Sequence, residues 1–243
     1  MDRLPSHGLV ETVGSHDIQT HALAYDRRFR NRRPVYELLH RLERNSDGAW
    51  IATREWRAAG AVTVASETVE WQHGLVRTKG HSPSLAESFD AQIEQQACHS
   101  QLTSQKTLGQ PRHRTINLPH APVTSAAMPL FIAQHWAQLC AGQAVDASYL
   151  VPKVQRAATV RVSAGAANAA ERVVDVTPRN LPLRALFGMT RFVFAEQAPL
   201  LRRIQGLLDP RDLKPNGRWI EYLGTVEFDK PVDLSGLMAA RSP

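Results

Sequence analysis

The chain has 243 residues, 43% of them hydrophobic and 21% charged, which excludes a disordered polymer and leaves enough apolar surface for a sizeable core without staples. No window of about 18 apolar residues occurs, which excludes a membrane-spanning helix, and two cysteines, Cys98 and Cys140, are too few for a disulfide framework although they allow one bond. The net charge of +6 is unevenly placed: Tyr25–Arg57 carries nine arginines against five acids, and Ala58–Ser100 two basic residues against five acids.

In chain order, residues 1–16 lack periodicity and are expected to be poorly ordered, as are 235–243; residues 17–234 read as one β-rich domain. Asp17–Phe29 carries Ile18, His21, Leu23 and Tyr25 in loose alternation, a first strand. The run Arg27, Arg28, Arg30, Arg32 and Arg33 is either a polyanion site or a solvated turn facing the acidic segment. Pro34–Arg44 fits helix and strand alike, and the turn cluster Asn45-Ser46-Asp47-Gly48 decides for a hairpin arm, because Trp50, Ala52 and Trp56 follow on one face. Val62, Val64, Val69 and Trp71 continue the strand pattern, and His73-Gly74 turns the chain into Leu75–Thr78.

Ser84–Ser104 is polar and is expected to hold a short helix. Lys106–Ala127, with Pro111, Pro119 and Pro122, reads as a long crossing loop. Pro129–Ala141 is a helix: proline suits its start, Gly142 its stop, and Ile132, Trp136, Leu139 and Cys140 repeat at the helical period. Ala147–Val151 and Ala157–Val162 are strands; Arg156–Ser163 and Arg172–Thr177 flank a small-residue turn, Ala164–Ala170; Arg191–Phe194 is a further strand and Leu181–Phe187 is short and apolar. In Pro199–Leu208 the residues Leu200, Leu201, Ile204, Leu207 and Leu208 stand at helical spacing, predicting one or two turns of helix. The turn Lys214-Pro215-Asn216-Gly217 leads into a last strand, Arg218–Phe228. The sum is nine to eleven strands and one or two helices: a mainly β (α+β) chain, an antiparallel sheet with one central helix packed on it.

Motifs with a dedicated chemistry are missing. His16 and His21 stand at a zinc-compatible spacing with no CxxC before them, HExxH does not occur, and Gly80-His81-Ser82-Pro83-Ser84 lacks the last glycine of a nucleophile elbow. Without GxGxxG or a phosphate-loop lysine, no nucleotide site is read, and neither a cofactor nor a metal is expected. The aromatics are the stronger signal. Trp71, Phe131, Trp136, Tyr149, Phe192, Phe194 and Trp219 fall on the sheet and its covering helix, where they build either an ordinary core or the wall of an apolar cavity, with Arg203 as an anion clamp.

The segments FIAQHWAQLCAGQAVDASYLV and LLRRIQGLLDPRDLKPNGRWIEYLG, through Trp136, Gly142, Val151, Pro152, Asp209, Pro210, Tyr222 and Gly224, resemble a group of uncharacterised proteobacterial cell-envelope proteins. That resemblance implies a shape similar to the curved antiparallel half-barrels of periplasmic lipoprotein carriers, and with it a curved antiparallel sheet or incomplete β-barrel with the central helix on its concave face. It also implies a signal peptide, which Met1–Thr12 does not provide, so the expected location is periplasmic if a leader was removed and otherwise cytoplasmic. No catalytic residues come with it. The function expected is non-enzymatic: binding or carriage of a lipid or other apolar or amphipathic molecule, with an acidic head met by arginine and nucleic acid not expected as partner. The alternatives are an enzyme, a hydrolase or isomerase drawing on His40, His135, Glu221 and Tyr222, and a polyanion-binding surface.

Overall fold

In the computed structural model the chain is described over residues 17–26, 34–72, 75–83, 87–94, 99–104, 112–152, 155–167, 170–213, 216–217 and 219–237. The arginine run 27–33, the His73-Gly74 turn, Cys98, Lys214-Pro215 of the last turn, and residues 1–16 and 238–243 lie outside the described residues; Ser235–Leu237, expected to be poorly ordered, forms a turn of 3-10 helix.

Alternating side chains make strands of most of the chain. The first half is a meander of β1 (Asp17–Asp26), β2 (Pro34–Arg44), β3 (Trp50–Ala58), β4 (Val62–Gln72), β5 (Leu75–Ser82) and β6 (Glu87–Glu94). A separate two-stranded ribbon, β7 (His99–Ser104) with β8 (Arg112–Asn117), precedes the short β9 (Pro122–Val123). After two helical turns come β10 (Val145–Val151), β11 (Arg156–Ala167), β12 (Glu171–Pro178), β13 (Thr190–Ala195), β14 (Leu200–Leu213) and β15 (Trp219–Asp233). The two halves join because the first strand pairs with the last, Ala22 opposite Phe228, giving a 13-stranded sheet in the order β6-β5-β4-β3-β2-β1-β15-β14-β13-β12-β11-β10-β9. Every pairing is antiparallel except β9 with β10. The sheet curls until β5 comes up against β9, so it is an incomplete barrel, and its β9 edge is blunted by shortness and by Pro122.

The helical segment fills one end of the concave side. It is α1 (Met128–Gln134) followed by α2 (Trp136–Cys140). Six consecutive residues of α1, Met128 to Ala133, are buried, as a helix enclosed on all sides requires. Around it Trp71, Val76 and Ile93 of one half meet Val160, Phe194 and Leu201 of the other. The expected single helix over Pro129–Ala141 is broken at His135, whose N–H is shared between the Phe131 and Ile132 carbonyls at 3.2 and 3.1 Å. Its stop is as expected: Gly142 has φ +78°, its N–H reaches the Leu139 carbonyl and the Gln143 N–H the Gln138 carbonyl, a Schellman closure.

Several expectations are corrected. Ser84–Ser104 holds no helix among the described residues; it supplies β6 and β7. Lys106–Ala127 contains β8 and β9. Leu181–Phe187 is a helix, α3. The described residues contain fifteen strands and three α-helices rather than nine to eleven and one or two. The expected helix over Pro199–Leu208 is not formed: from Leu200 on this segment is strand β14, and its helix-like spacing has a local cause. From Phe194 to Val193 β13 advances one residue while β14 advances two, Leu201 to Arg203, so a bulge resets the phase and the inward row reads Leu201, Ile204, Gly206, Leu208. In β1 the phase is inverted: Thr20, Ala22, Ala24 and Asp26 are buried, Leu23 is 39% exposed, and the small alanines sit opposite the bulky Leu38 and Tyr36. Cys140, expected on the apolar helix face, is exposed.

Candidate functional site

The interior contains two apolar clusters. One surrounds the helices and includes Leu42, Trp50 and Ala52; the other contains Tyr36, Leu38, Trp56, Leu208, Tyr222 and Val226. Between them a polar belt crosses the inward face of neighbouring strands: His40 on β2 lies between Leu38 and Leu42, and its cross-strand partner Arg54 on β3 lies between Ala52 and Trp56. Next in the belt is Glu67, opposite Arg54 on β4.

Three segments from the other half bring the remaining polar groups. Ser125 comes from the turn before α1, Tyr149 from β10 and Asp209 from β14. Asp209 is aimed inward by an irregularity. From Leu207 to Arg211 β14 advances four residues while β15 advances two, Leu223 to Glu221, and Pro210 within this stretch has no N–H to give the ladder.

Arg54 Nη1 donates to Asp209 Oδ2 at 3.3 Å and to Ser125 Oγ at 3.4 Å, and its Nη2 donates to the Ser125 carbonyl at 2.8 Å. Ser125 Oγ stands 3.4 Å from both Glu67 Oε2 and Asp209 Oδ1, so its one proton serves one carboxylate at a time. Thr78 Oγ1 donates to Glu67 Oε1 at 3.2 Å. Only the bond to the Ser125 carbonyl is short, so the cluster is loosely knit.

Burial, with the Asp209 charge added, pushes the Glu67 carboxyl up to about 7, against the pull of Arg54 and the two hydroxyls. Burial and then the Arg54 charge lower His40 to about 3, so its imidazole is neutral, and its Nδ1 has no partner among the described residues. Burial first, then Asp209 and Glu67, raise the Tyr149 phenol, which therefore stays protonated.

Three cavities converge here, and Asp209 with Tyr149 lines all three. The first, with about 690 Å³ of empty space counted to its open mouth, is bordered by Glu67, Trp56, Phe89, Leu150 and Pro152. Gly80 makes this wall: it faces Phe89 across the β5/β6 ladder, and a Cβ there would run into the ring. The second, about 540 Å³, lies over Leu38, Arg54, Phe192 and Ile204. The third, about 900 Å³, is lined by Val151, Val160, Val176, Leu183, Leu207 and Leu208.

Of the residues singled out in the sequence, Tyr149 and Phe192 line cavities. Trp71, Phe131, Trp136 and Phe194 are packed in the larger core, with the Trp136 and Phe194 rings edge to face at 5.2 Å. Arg203 stands on β14 in an ion pair with Glu171 at 3.1 Å. Trp219 opens β15, and its side chain, like that of Glu221, lies outside the described residues. His135 caps the break between the helices, its Nδ1 2.9 Å from the Phe131 carbonyl, and Tyr222 packs edge to face on Tyr36. The expectations missed Arg54, Glu67, Thr78 and Ser125, and gave Asp209 no place in the site. A signal existed for three of them: Arg54 and Glu67 interrupt the inward rows Trp50-Ala52-Arg54-Trp56 and Glu67-Val69-Trp71, and Thr78 follows Val76 in phase. Among the described residues no group of three or more histidine, cysteine or carboxylate side chains is placed to hold a metal ion, and no helix is long and apolar enough to cross a membrane.

No protein-family model matches the chain. No curated protein matches it either. Among solved structures it is similar to a β-barrel-like protein of a domain of unknown function, DUF1849, from Brucella abortus, with 9% identity, a TM-score of 0.49, and coverage of 89% of this chain and 97% of that one. At that identity and TM-score the likeness carries no weight for family or function.

Proposed function

We propose that this chain is a non-enzymatic binding or carrier protein of the cell envelope, which holds an amphipathic molecule inside its incomplete barrel. The observation that carries this reading is the convergence of three largely apolar cavities on one polar cluster, where Asp209 and Tyr149 face all of them. An apolar chain lying along Val160, Val176, Leu207 and Leu208 gains about 25 cal/mol per Å² of surface removed from water, while the belt at Arg54, Glu67 and Asp209 receives a polar end. A small number of polar groups in an otherwise apolar pocket is the usual arrangement of a small-molecule site. The envelope location rests on the resemblance of the Phe131–Val151 and Leu200–Gly224 segments alone.

The test is native mass spectrometry of gently purified protein with organic extraction of what it carries. A lipid or other amphipathic molecule in a fixed ratio supports the reading; a bare polypeptide mass, unchanged after incubation with mixed lipids, sinks it.

One observation favours a second reading, an enzyme. The Glu67 carboxyl, near 7 and beside the Ser125 hydroxyl, is in the range where a general acid–base works best. A hydrolase or isomerase of this kind loses its turnover in Glu67→Gln with substrate affinity retained; a carrier has no turnover to lose.

A further inference from the structure

The expected ligand has an acidic head met by arginine, but Arg203, the expected clamp, and Arg54, the arginine of the cluster, are already committed. Arg203 is held by Glu171, and Arg54, whose side chain is 6% exposed, is held by Asp209 and Ser125. Asp209 is the open partner of its pair, with 38% of its side chain exposed. The first cavity therefore presents two carboxylates, Glu67 and Asp209, and no arginine or lysine; the one basic side chain on its rim is His81. The same cavity is walled by three rings, Trp56, Phe89 and Tyr149. Aromatic faces around a carboxylate attract a weakly hydrated organic cation, because the negative face of each ring and the carboxylate act together.

The cluster is also incomplete as it stands. Arg54 is 5% exposed and borders the adjoining second cavity, and its buried Nε has no partner among the described residues. That donor meets an acceptor, such as a hydroxyl or carbonyl oxygen of a ligand reaching into the second cavity, and not a cationic centre, which only the carboxylates of the first cavity can meet.

We propose that this cavity binds an organic cation, an ammonium centre on an apolar chain, between the Glu67 and Asp209 carboxylates and the rings of Trp56, Phe89 and Tyr149. The inference rests on the binding-protein reading and names the ligand's class. A carboxylate-headed chain is rejected there by like charge, while its hydrocarbon is accepted equally well.

The test is isothermal titration calorimetry of the whole chain with octyltrimethylammonium and with octanoate, below their micelle concentrations. Expected is at least about tenfold tighter binding of the ammonium. Asp209→Asn removes most of that preference and leaves octanoate binding unchanged or stronger. Because Asp209 also holds Arg54, a second variant, Phe89→Leu, keeps an apolar wall and removes one ring face, and it weakens the ammonium alone. Equal binding of the two probes, or tighter octanoate, overturns the cation assignment and leaves the binding-protein reading standing. Binding of neither probe overturns both.

Discussion

Arg54 and Asp209 meet across the barrel interior at 3.3 Å from strands 155 positions apart, the arginine buried and the carboxylate open to three cavities. The pair joins the N-terminal meander to the C-terminal one at the level where the two apolar clusters part. It links the two halves, already joined through the β1/β15 ladder, and gives the cavities their polar end with the same two side chains.

Replacing Arg54 by Met takes away the cation that bonds Asp209 and stands opposite Glu67. Removing one partner of a buried pair costs about 3 kcal/mol or more, discounted here because Asp209 is partly solvated. The loss is expected to be larger near pH 8 than near pH 5, since protonation of Glu67, at about 7, relieves its repulsion from Asp209. Urea unfolding at both values reads it, and an equal loss at both would show that the charge balance is not what Arg54 supplies.

Glu67 has a folded-state value of about 7 against an ordinary 4.5. A carboxyl raised by folding contributes stability that is full below the lower value and is lost as pH rises through the higher one. Glu67→Gln, which keeps the acceptor for Thr78 and carries no charge, is therefore expected to gain on the wild type above pH 7 and to match it near pH 4.5. Thermal melts across that range measure the difference, and curves that stay parallel would contradict the placement of Glu67.

His40 works in the opposite direction. Its value falls from 6.5 to about 3 on folding, so the stability it contributes is present above 6.5 and lost as the pH falls toward 3. His40→Leu removes a buried ring whose Nδ1 has no partner among the described residues, and it is expected to cost little at pH 7, within about 1 kcal/mol. It should also shift acid unfolding to lower pH. Between about 4.5 and 6.5 the His40 and Glu67 slopes oppose each other, so the wild type is flattest there.

Trp136→Ala empties the space against Phe194 in the larger core. The expected cost is about 3–5 kcal/mol, read as a drop in denaturation midpoint. Uptake of an apolar probe should weaken with it; a folded variant with unchanged uptake would separate the helix from the binding function.

The parts of the fold legible in the sequence are those fixed within a few residues. Asn45-Ser46-Asp47-Gly48 places the β2/β3 hairpin because its turn is local: the Asn45 side chain accepts from the Asp47 and Ala49 N–H groups. Gly142 stops α2 because only a residue tolerant of positive φ closes that turn. The alternation Tyr36, Leu38, His40, Leu42 gives the inward face of β2 directly. Where the backbone slips a residue, the same reasoning fails: the bulge at Leu201–Arg203 turns a strand's period into an apparent helical one, and the alanines of β1 show their inward face only beside Leu38 and Tyr36.

The site was beyond local reading for a different reason. An arginine in the phase of Trp50 and Trp56 marks β3 as carrying something buried, but the sequence does not say what neutralises it. Asp209 reaches Arg54 only because β1 pairs with β15 and brings β14 around the barrel, and because the irregularity at Pro210 aims it inward. By itself the sequence determined a mainly β, antiparallel chain with a glycine-stopped helical segment packed on its sheet, since period and turn chemistry act over a few residues. Only the tertiary structure decided that Arg54, Glu67, Ser125, Tyr149 and Asp209 share one cleft, since closure of the sheet and a bulge, not any local pattern, set those distances.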